Sequence, residues 1–414
     1  MYFIYTLTLM LGLLLALPYY LCRFGRYLPT LRDRLGFTKL PQLKGSIWVH
    51  AVSLGEFKAV ELLLERLKRQ FPDKPLVVST TTPAGQKVAA ERRDIVDHIL
   101  FFPFDLPPCV RRTVDRINPE MVIVAETEIW PNFLRACRER GVRVAMINGR
   151  ISDKSFKRYK LAGRWLRRVL QDYSIIGMQS ETDRKRIEAL GADPKKVTVF
   201  GNLKYDVVQL SRPLDVMLAS FLSKWKQIWI AASTMPGEEE FVLDAFRNVR
   251  SGNPELKLVI APRHPNRFDA VETIIRNRGL SCVRRSRLDS EADILLLDTI
   301  GELASVFEHA TVVFMGGTLV PTGGHNVLEP ARHRNPVVFG PHMENFRDIA
   351  RLFLDANAAI QIQNPNELAP VIAQLLSNPA AATELGKNAF AVVQQNTGAT
   401  ERVMQVLKPV EACR

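Results

Sequence analysis

The sequence predicts an α/β protein built from two Rossmann-like domains that face each other and join near residue 210. Three observations carry this expectation. Short apolar runs alternate with amphipathic stretches along the chain, the pattern of strand–helix–strand units in a parallel sheet. At 414 residues the chain is too long for one compact core. The alternation breaks at Ser211-Arg212-Pro213 and then begins again.

The first element is Tyr2–Cys22, a run of 21 residues without a charge. That is about the ~20 residues a helix needs to cross a bilayer core. Arg23, Arg26, Arg32 and Arg34 follow, so the positive-inside rule leaves the rest of the chain on the cytoplasmic side. No basic residue precedes the run and no small-residue cleavage site follows it, unlike a secretory signal. Pro18 and Tyr19-Tyr20 suit a shallow interfacial anchor as well as a span, and a buried core helix is the alternative. Residues 1–22 are therefore expected as a membrane anchor, 23–210 as one domain and 211–414 as the other.

In the first domain, strands are expected at 46–52, 76–82, 121–127, 142–148 and 173–180. Helices are expected at 57–69, from Pro83 and at 131–139. Functional loops of parallel sheets lie beyond the C-terminal ends of the strands. Here those positions hold His50 to Glu56, Thr80-Thr81-Thr82, Glu126-Thr127-Glu128 and Asn148-Gly149-Arg150. In the second domain the runs at 227–233, 256–262, 281–286, 292–298, 311–317 and 335–340 read as strands. A final helix at 399–407, stopped by Pro409, could fold back on either domain.

Charge separates the halves. Residues 1–210 hold 35 Lys and Arg against 21 Asp and Glu, a net of +14. The remaining 21 and 22 leave residues 211–414 at −1. The first half is thus suited to an acidic partner: nucleic acid, phospholipid headgroups or a phosphorylated substrate. Lys and Arg at 154–168 come with Leu161 and Trp165 at helical spacing, which fits an anionic membrane surface at least as well as nucleic acid. The five cysteines (22, 109, 137, 282, 413) have no short-range pairs, so neither a disulfide framework nor a zinc cluster is encoded.

The densest chemical signal is the segment 315–330, MGGTLVPTGGHNVLEP. It leaves a strand through Gly316-Gly317 and enters a helix near Asn326, so backbone N–H groups and a helix N-terminus can meet an anion. Asn326 and Glu329 lie one turn apart, and a carboxylate there suits ribose hydroxyls. Pro262-Arg263-His264-Pro265 would hold a guanidinium stiffly for a phosphate. Ile300-Gly301-Glu302 is a third candidate loop. In the first half, Glu56 follows Gly55 at a strand-to-helix turn, where it suits either chemistry or the helix dipole. If the strand runs on through Thr127, Glu126 and Glu128 share a face; if it turns there, only one should point to the site. Lys204, in GNLKYD, would by itself read as a solvated lysine.

HAVSLGE, ETEIWPNF, NGRIS, QSETD, GNLKYD, APRHP, DTIGEL and GGTLVPTGGHNVLEP, in this order, resemble the 3-deoxy-D-manno-octulosonic acid (Kdo) transferases of lipopolysaccharide assembly. The resemblance runs from the N-terminal run to at least residue 350, most of the chain. It implies a GT-B glycosyltransferase, with two Rossmann-like domains about a cleft, an acceptor-binding first domain and a donor-binding second. The implied donor is CMP-Kdo and the acceptor is lipid IVA, the lipid A precursor. Anomeric inversion, independence from metal or other cofactors, and an inner-membrane location come with it. The general base falls on Glu56 and the transition-state stabilisers on Glu126 and Lys204. The CMP contacts fall on Pro262, Arg263, Ile300, Gly301, Glu302, Asn326, Val327, Leu328 and Glu329. No Asp-x-Asp metal motif sits at a strand end. The competing readings are a GT-B enzyme using a UDP-sugar, a nucleic-acid-binding protein and a non-catalytic membrane scaffold.

Overall fold

A computed structural model describes residues 2–22, 24–207 and 213–407. Arg23 of the expected basic flank and Ser211-Arg212 of the expected junction lie outside the described residues. The chain forms two compact units, residues 1–207 with the segment from Thr397, and residues 208–396.

The first unit opens with α1 (Tyr2–Cys22) and α2 (Phe24–Arg34). An alternation follows: β1 (Ser46–His50), α3 (Leu54–Gln70), β2 (Leu76–Thr80), α4 (Pro83–Glu91), β3 (His98–Phe101), α5 (Pro107–Ile117) and β4 (Pro119–Ala125). It continues with α6 (Pro131–Glu139), β5 (Arg143–Gly149), α7 (Asp153–Leu170), β6 (Ile175–Met178), α8 (Glu181–Ala189), β7 (Val197–Val199) and α9 (Lys204–Val207). The seven strands form one parallel sheet in the order β3-β2-β1-β4-β5-β6-β7. Apolar residues alternate between its faces: Trp48, Val122 and Val124 pack on one, Ile47, Val49 and Ile123 on the other. Burial on both faces explains why these strands read as unbroken apolar runs. Ser53, Thr82, Ser152 and Ser180 each accept a backbone N–H at the first turn of the next helix. These caps fix helix starts at the C-terminal ends of β1, β2, β5 and β6.

The second unit runs α10 (Val216–Leu222), β8 (Gln227–Thr234), α11 (Glu238–Gly252), β9 (Leu256–Pro262), α12 (Phe268–Asn277), β10 (Cys282–Arg284), β11 (Ile294–Leu296), α13 (Leu303–Val306) and β12 (Val312–Met315). It ends with α14 (Leu328–Arg332), β13 (Val337–Phe339), α15 (Arg347–Asp355), β14 (Ile360–Gln361), α16 (Leu368–Ser377) and α17 (Pro379–Asn396). Its parallel sheet has the order β10-β11-β9-β8-β12-β13-β14, with a core around Trp229, Leu258, Ile260 and Phe314. The last helix, α18 (Ala399–Leu407), belongs to the first unit, where Ala399, Val403, Met404 and Leu407 join the core beside α3.

The N-terminal run forms the expected helix, for which the sequence left a span and an interfacial anchor both open. Among the described residues no helix is long and apolar enough to cross a membrane. The first turns of α1 are docked on the first unit. Tyr2 Oη donates to Asp172 Oδ2 at 3.2 Å, Asn132 Nδ2 donates to Thr6 Oγ1 at 3.0 Å, and Tyr5 packs against Trp165. The stretch beyond Thr6 is about 24 Å of helix, short of a ~30 Å bilayer core. Phe3, Leu7, Leu11, Leu14 and Leu15 remain exposed along the helix.

Candidate active site

In the first sheet the strand order reverses between β1 and β4, and such a switch point opens a crevice at the strands' C-terminal ends. Glu56 follows β1 and Glu126 follows β4, so these two carboxylates flank it. Glu56 is held at the first turn of α3 beside the N-cap Ser53. Its Oε2 accepts the Val52 N–H at 2.7 Å, its Oε1 accepts from Ser53 Oγ at 3.1 Å, and Ser53 Oγ accepts the Glu56 N–H at 3.4 Å. Burial, and then the charge of Glu126, push its pKa up to about 7, although the bonds from Val52 and Ser53 pull the other way.

Glu126 ends β4 in the left-handed region, at φ 61°, with its N–H donated to Ile147 O at 2.8 Å. A non-glycine residue is strained there. The chain does turn, yet both carboxylates of ETE stay at the site. Glu128 is also half-buried and is raised to about 7 by burial and then by Glu126. The Glu128 carbonyl accepts from the buried Tyr173 Oη at 2.6 Å, and Thr127 Oγ1 donates to Arg150 O at 2.6 Å. Because both pKa values are raised on folding, ionising Glu56 and Glu128 costs stability as the pH rises through about 7. That is the range in which a general base must lose its proton.

Lys204 begins α9, its N–H donated to Asn202 Oδ1 at 3.0 Å. The preceding Leu203 N–H is held at 3.0 Å by Oδ1 of Asn148, at the C-terminal end of β5. From the other side, Asp206 accepts the N–H groups of Gly398 at 2.7 Å and Thr400 at 2.6 Å, at the start of α18. The returning C-terminal helix thus fixes the segment that carries Lys204. Asp206 lies inside GNLKYD, but nothing local pairs it with residues almost two hundred positions away.

In the second unit the switch point lies between β8 and β12, and it is filled from within. Glu238, fully buried at the start of α11, accepts the N–H groups of Gly317, Thr318 at 2.9 Å, Leu319 at 2.8 Å and Met235 at 2.9 Å. The N–H groups of Gly317, Thr318 and Leu319 therefore cradle a carboxylate of the chain itself, and that of Gly316 goes to Ala232 O, which corrects the reading of those amides as a ligand site. The triple Glu238-Glu239-Glu240 carried no signal that Glu238 and Glu239 are buried.

The remaining candidates lie further along the loops. Arg263 is exposed just after β9, its N–H tied to Thr234 O at 2.9 Å. Its charge reaches Glu329, whose pKa is raised by burial and lowered by the bond from Asn326 and by Arg263. Asn326 donates from Nδ2 to Glu329 Oε1 at 3.2 Å and accepts the Leu328 N–H at 3.1 Å. The structure thus brings Arg263, Asn326 and Glu329 together. Helix α14 begins at Leu328, two residues later than expected, with Val327 at the N-cap position. Pro262, Val327 and Leu328 are buried. Ile300 is 82 % exposed, and Gly301 takes φ 93°, a conformation that requires glycine. The Glu302 carboxylate is gripped by Arg285 and by Thr299 Oγ1, so its side chain is engaged within the unit. Among the described residues no group of three His, Cys, Asp or Glu could hold a metal ion.

Two parallel α/β sheets with polar groups gathered at their strand ends define a GT-B-like protein. The fold is shared with UDP-GlcNAc 2-epimerase from Neisseria meningitidis, a structure solved with UDP-GlcNAc, at TM-score 0.59 and 10% identity over 88% of this chain and 99% of that one. The family described as 3-deoxy-D-manno-octulosonic-acid transferase (kdotransferase) matches residues 29–207. The 3-deoxy-D-manno-octulosonic acid transferase of Haemophilus influenzae is 34% identical over 96% of both chains, and that of Bordetella pertussis 31% identical over 92% of this chain and 91% of its own. The chain belongs to the 3-deoxy-D-manno-octulosonic acid transferase family, and it is a glycosyltransferase.

Proposed function

We propose that the protein transfers Kdo from CMP-Kdo to lipid IVA in lipopolysaccharide biosynthesis, with inversion at the anomeric carbon. The observation that carries the catalytic assignment is Glu56, a carboxylate held near neutrality at a strand-end switch point. An acceptor hydroxyl must lose its proton as it attacks, and Glu56 takes it. Lys204 and Glu126 serve the charge that develops in the transition state. The leaving group is a nucleoside monophosphate, and Arg263 supplies positive charge to it. With a single phosphate to neutralise, no bridging metal is required, and chelators should leave turnover intact.

CMP binding tests the donor half. Arg263→Ala and Glu329→Ala should each raise the CMP dissociation constant about ten- to a hundredfold, the loss of one charge-assisted bond at roughly 1.5–3 kcal/mol. Wild-type calorimetric affinity in both would remove residues 262–329 as the donor site. UMP binding as tightly as CMP would favour a UDP-sugar enzyme instead.

The anchor reading takes an interfacial form. The exposed apolar side chains of α1 suit the headgroup–acyl boundary, and the exposed Arg164, Arg167 and Arg168 of α7 suit anionic lipid at the cytoplasmic side of the inner membrane. No nucleic acid is invoked. Replacing the three arginines by Glu should weaken binding to anionic vesicles by on the order of 1 kcal/mol per charge. Vesicle flotation unchanged by the triple substitution would place the membrane-facing surface elsewhere.

A further inference from the structure

We propose that His325 is a further donor-site residue, its Nδ1–H donating a hydrogen bond to the nucleotide phosphate beside Arg263. This rests on the donor reading of residues 262–329 and adds to it a neutral hydrogen-bond donor of defined tautomer.

The ring is pinned from one side. Gly317 takes φ 69°, and a Cβ added there would lie 2.8 Å from His325 Cδ2 and 2.9 Å from Nε2. The Cδ2–Nε2 edge of the imidazole therefore packs flat on a residue that has to be glycine. Nε2 is buried there without a hydrogen-bond partner. Nε2 is unpaired in either tautomer, as a donor or as an acceptor, and an orphaned buried N–H is the less tolerated of the two. A neutral imidazole carries one proton, and this places it on Nδ1, away from the Gly317 contact. The imidazole is neutral at physiological pH, because burial and then the charges of Arg263 and His264 lower its pKa to about 4. The same electrostatics locate the group. Arg263 acts on both His325 and Glu329, so the guanidinium, the imidazole and the Asn326–Glu329 pair share one neighbourhood. A neutral N–H beside an arginine adds a directed bond to an anion without a second charge to desolvate.

The experiment titrates the full-length protein with CMP and with cytidine. His325→Ala and His325→Gln should weaken CMP about tenfold and leave cytidine unchanged. His325→Asn should stay within about threefold of wild type, since its amide N–H falls where Nδ1–H was, whereas that of Gln falls at the Nε2 position. Wild-type CMP affinity in His325→Ala, or equal affinity in the Asn and Gln variants, would overturn the proposal. So would joint loss of cytidine and CMP, which marks a structural histidine. Normal CMP affinity with a raised KM for CMP-Kdo would also overturn it, by moving the contact to the sugar carboxylate. In the same series, weak CMP binding by Arg263→Ala with normal His325→Ala removes only this inference. Normal binding by both Arg263→Ala and Glu329→Ala would remove the donor reading itself.

Discussion

Glu56→Gln should lower turnover by about 10²–10⁴, while CMP affinity and melting temperature stay close to wild type. The substitution separates chemistry from structure, because glutamine keeps an oxygen for the Val52 N–H. What it cannot do is take a proton from the acceptor. In the wild-type enzyme, kcat/KM should rise with pH along a limb near 7, the value to which burial and Glu126 bring Glu56. Glu126→Gln removes the repelling charge, so the limb of its residual activity should move to lower pH. Near-normal turnover in Glu56→Gln would reduce Glu56 to a helix cap and move the base to Glu126 or Glu128.

The second large effect is structural. Glu238→Gln should destabilise the protein by roughly 2–6 kcal/mol, and Glu238→Ala by at least as much. In the wild type the carboxylate oxygens share four N–H groups, those of Gly317 and Met235 on one and those of Thr318 and Leu319 on the other. A glutamine amide turns its own NH₂ toward two of these donors, orphaning them at about 1–3 kcal/mol each. The transition of the second unit should fall by on the order of 10 °C in scanning calorimetry. Amide exchange at Gly317–Leu319 should accelerate with it, and CMP binding should weaken because the loop leading to Asn326 loses its support. An unchanged melt and unchanged exchange would mean that solvent can replace the carboxylate.

How much was legible in the sequence depended on burial. The inner strands of both sheets are covered on both faces, so β1, β4, β8 and β9 stand out as apolar runs. The strands that the pattern did not reveal, β3, β7 and β14, are all at sheet edges. An edge strand has one neighbour and need not be apolar; His98-Ile99-Leu100-Phe101, Val197-Thr198-Val199 and Ile360-Gln361 are short and only partly buried. The choice between a span and an interfacial anchor was not legible for a related reason. A charge-free run states how apolar a helix is, but not that Tyr2, Tyr5 and Thr6 are committed to the domain.

The sequence by itself determined the two parallel α/β repeats, the place of Glu56 and Glu126 at strand ends, and the family motifs, because each depends on periodicity or on neighbours along the chain. Only the tertiary structure decided which charges are spent and which are left. Glu238 turns inward to fill the glycine loop, Glu302 closes on Arg285, and Asp206 ties Lys204's segment to α18. Glu56 and Glu128 instead share a half-buried space with Glu126, where burial and then the Glu126 charge raise both pKa values to about 7. The pKa of a carboxylate is set by its solvation and by the charges around it, and folding assembles those surroundings from distant parts of the chain.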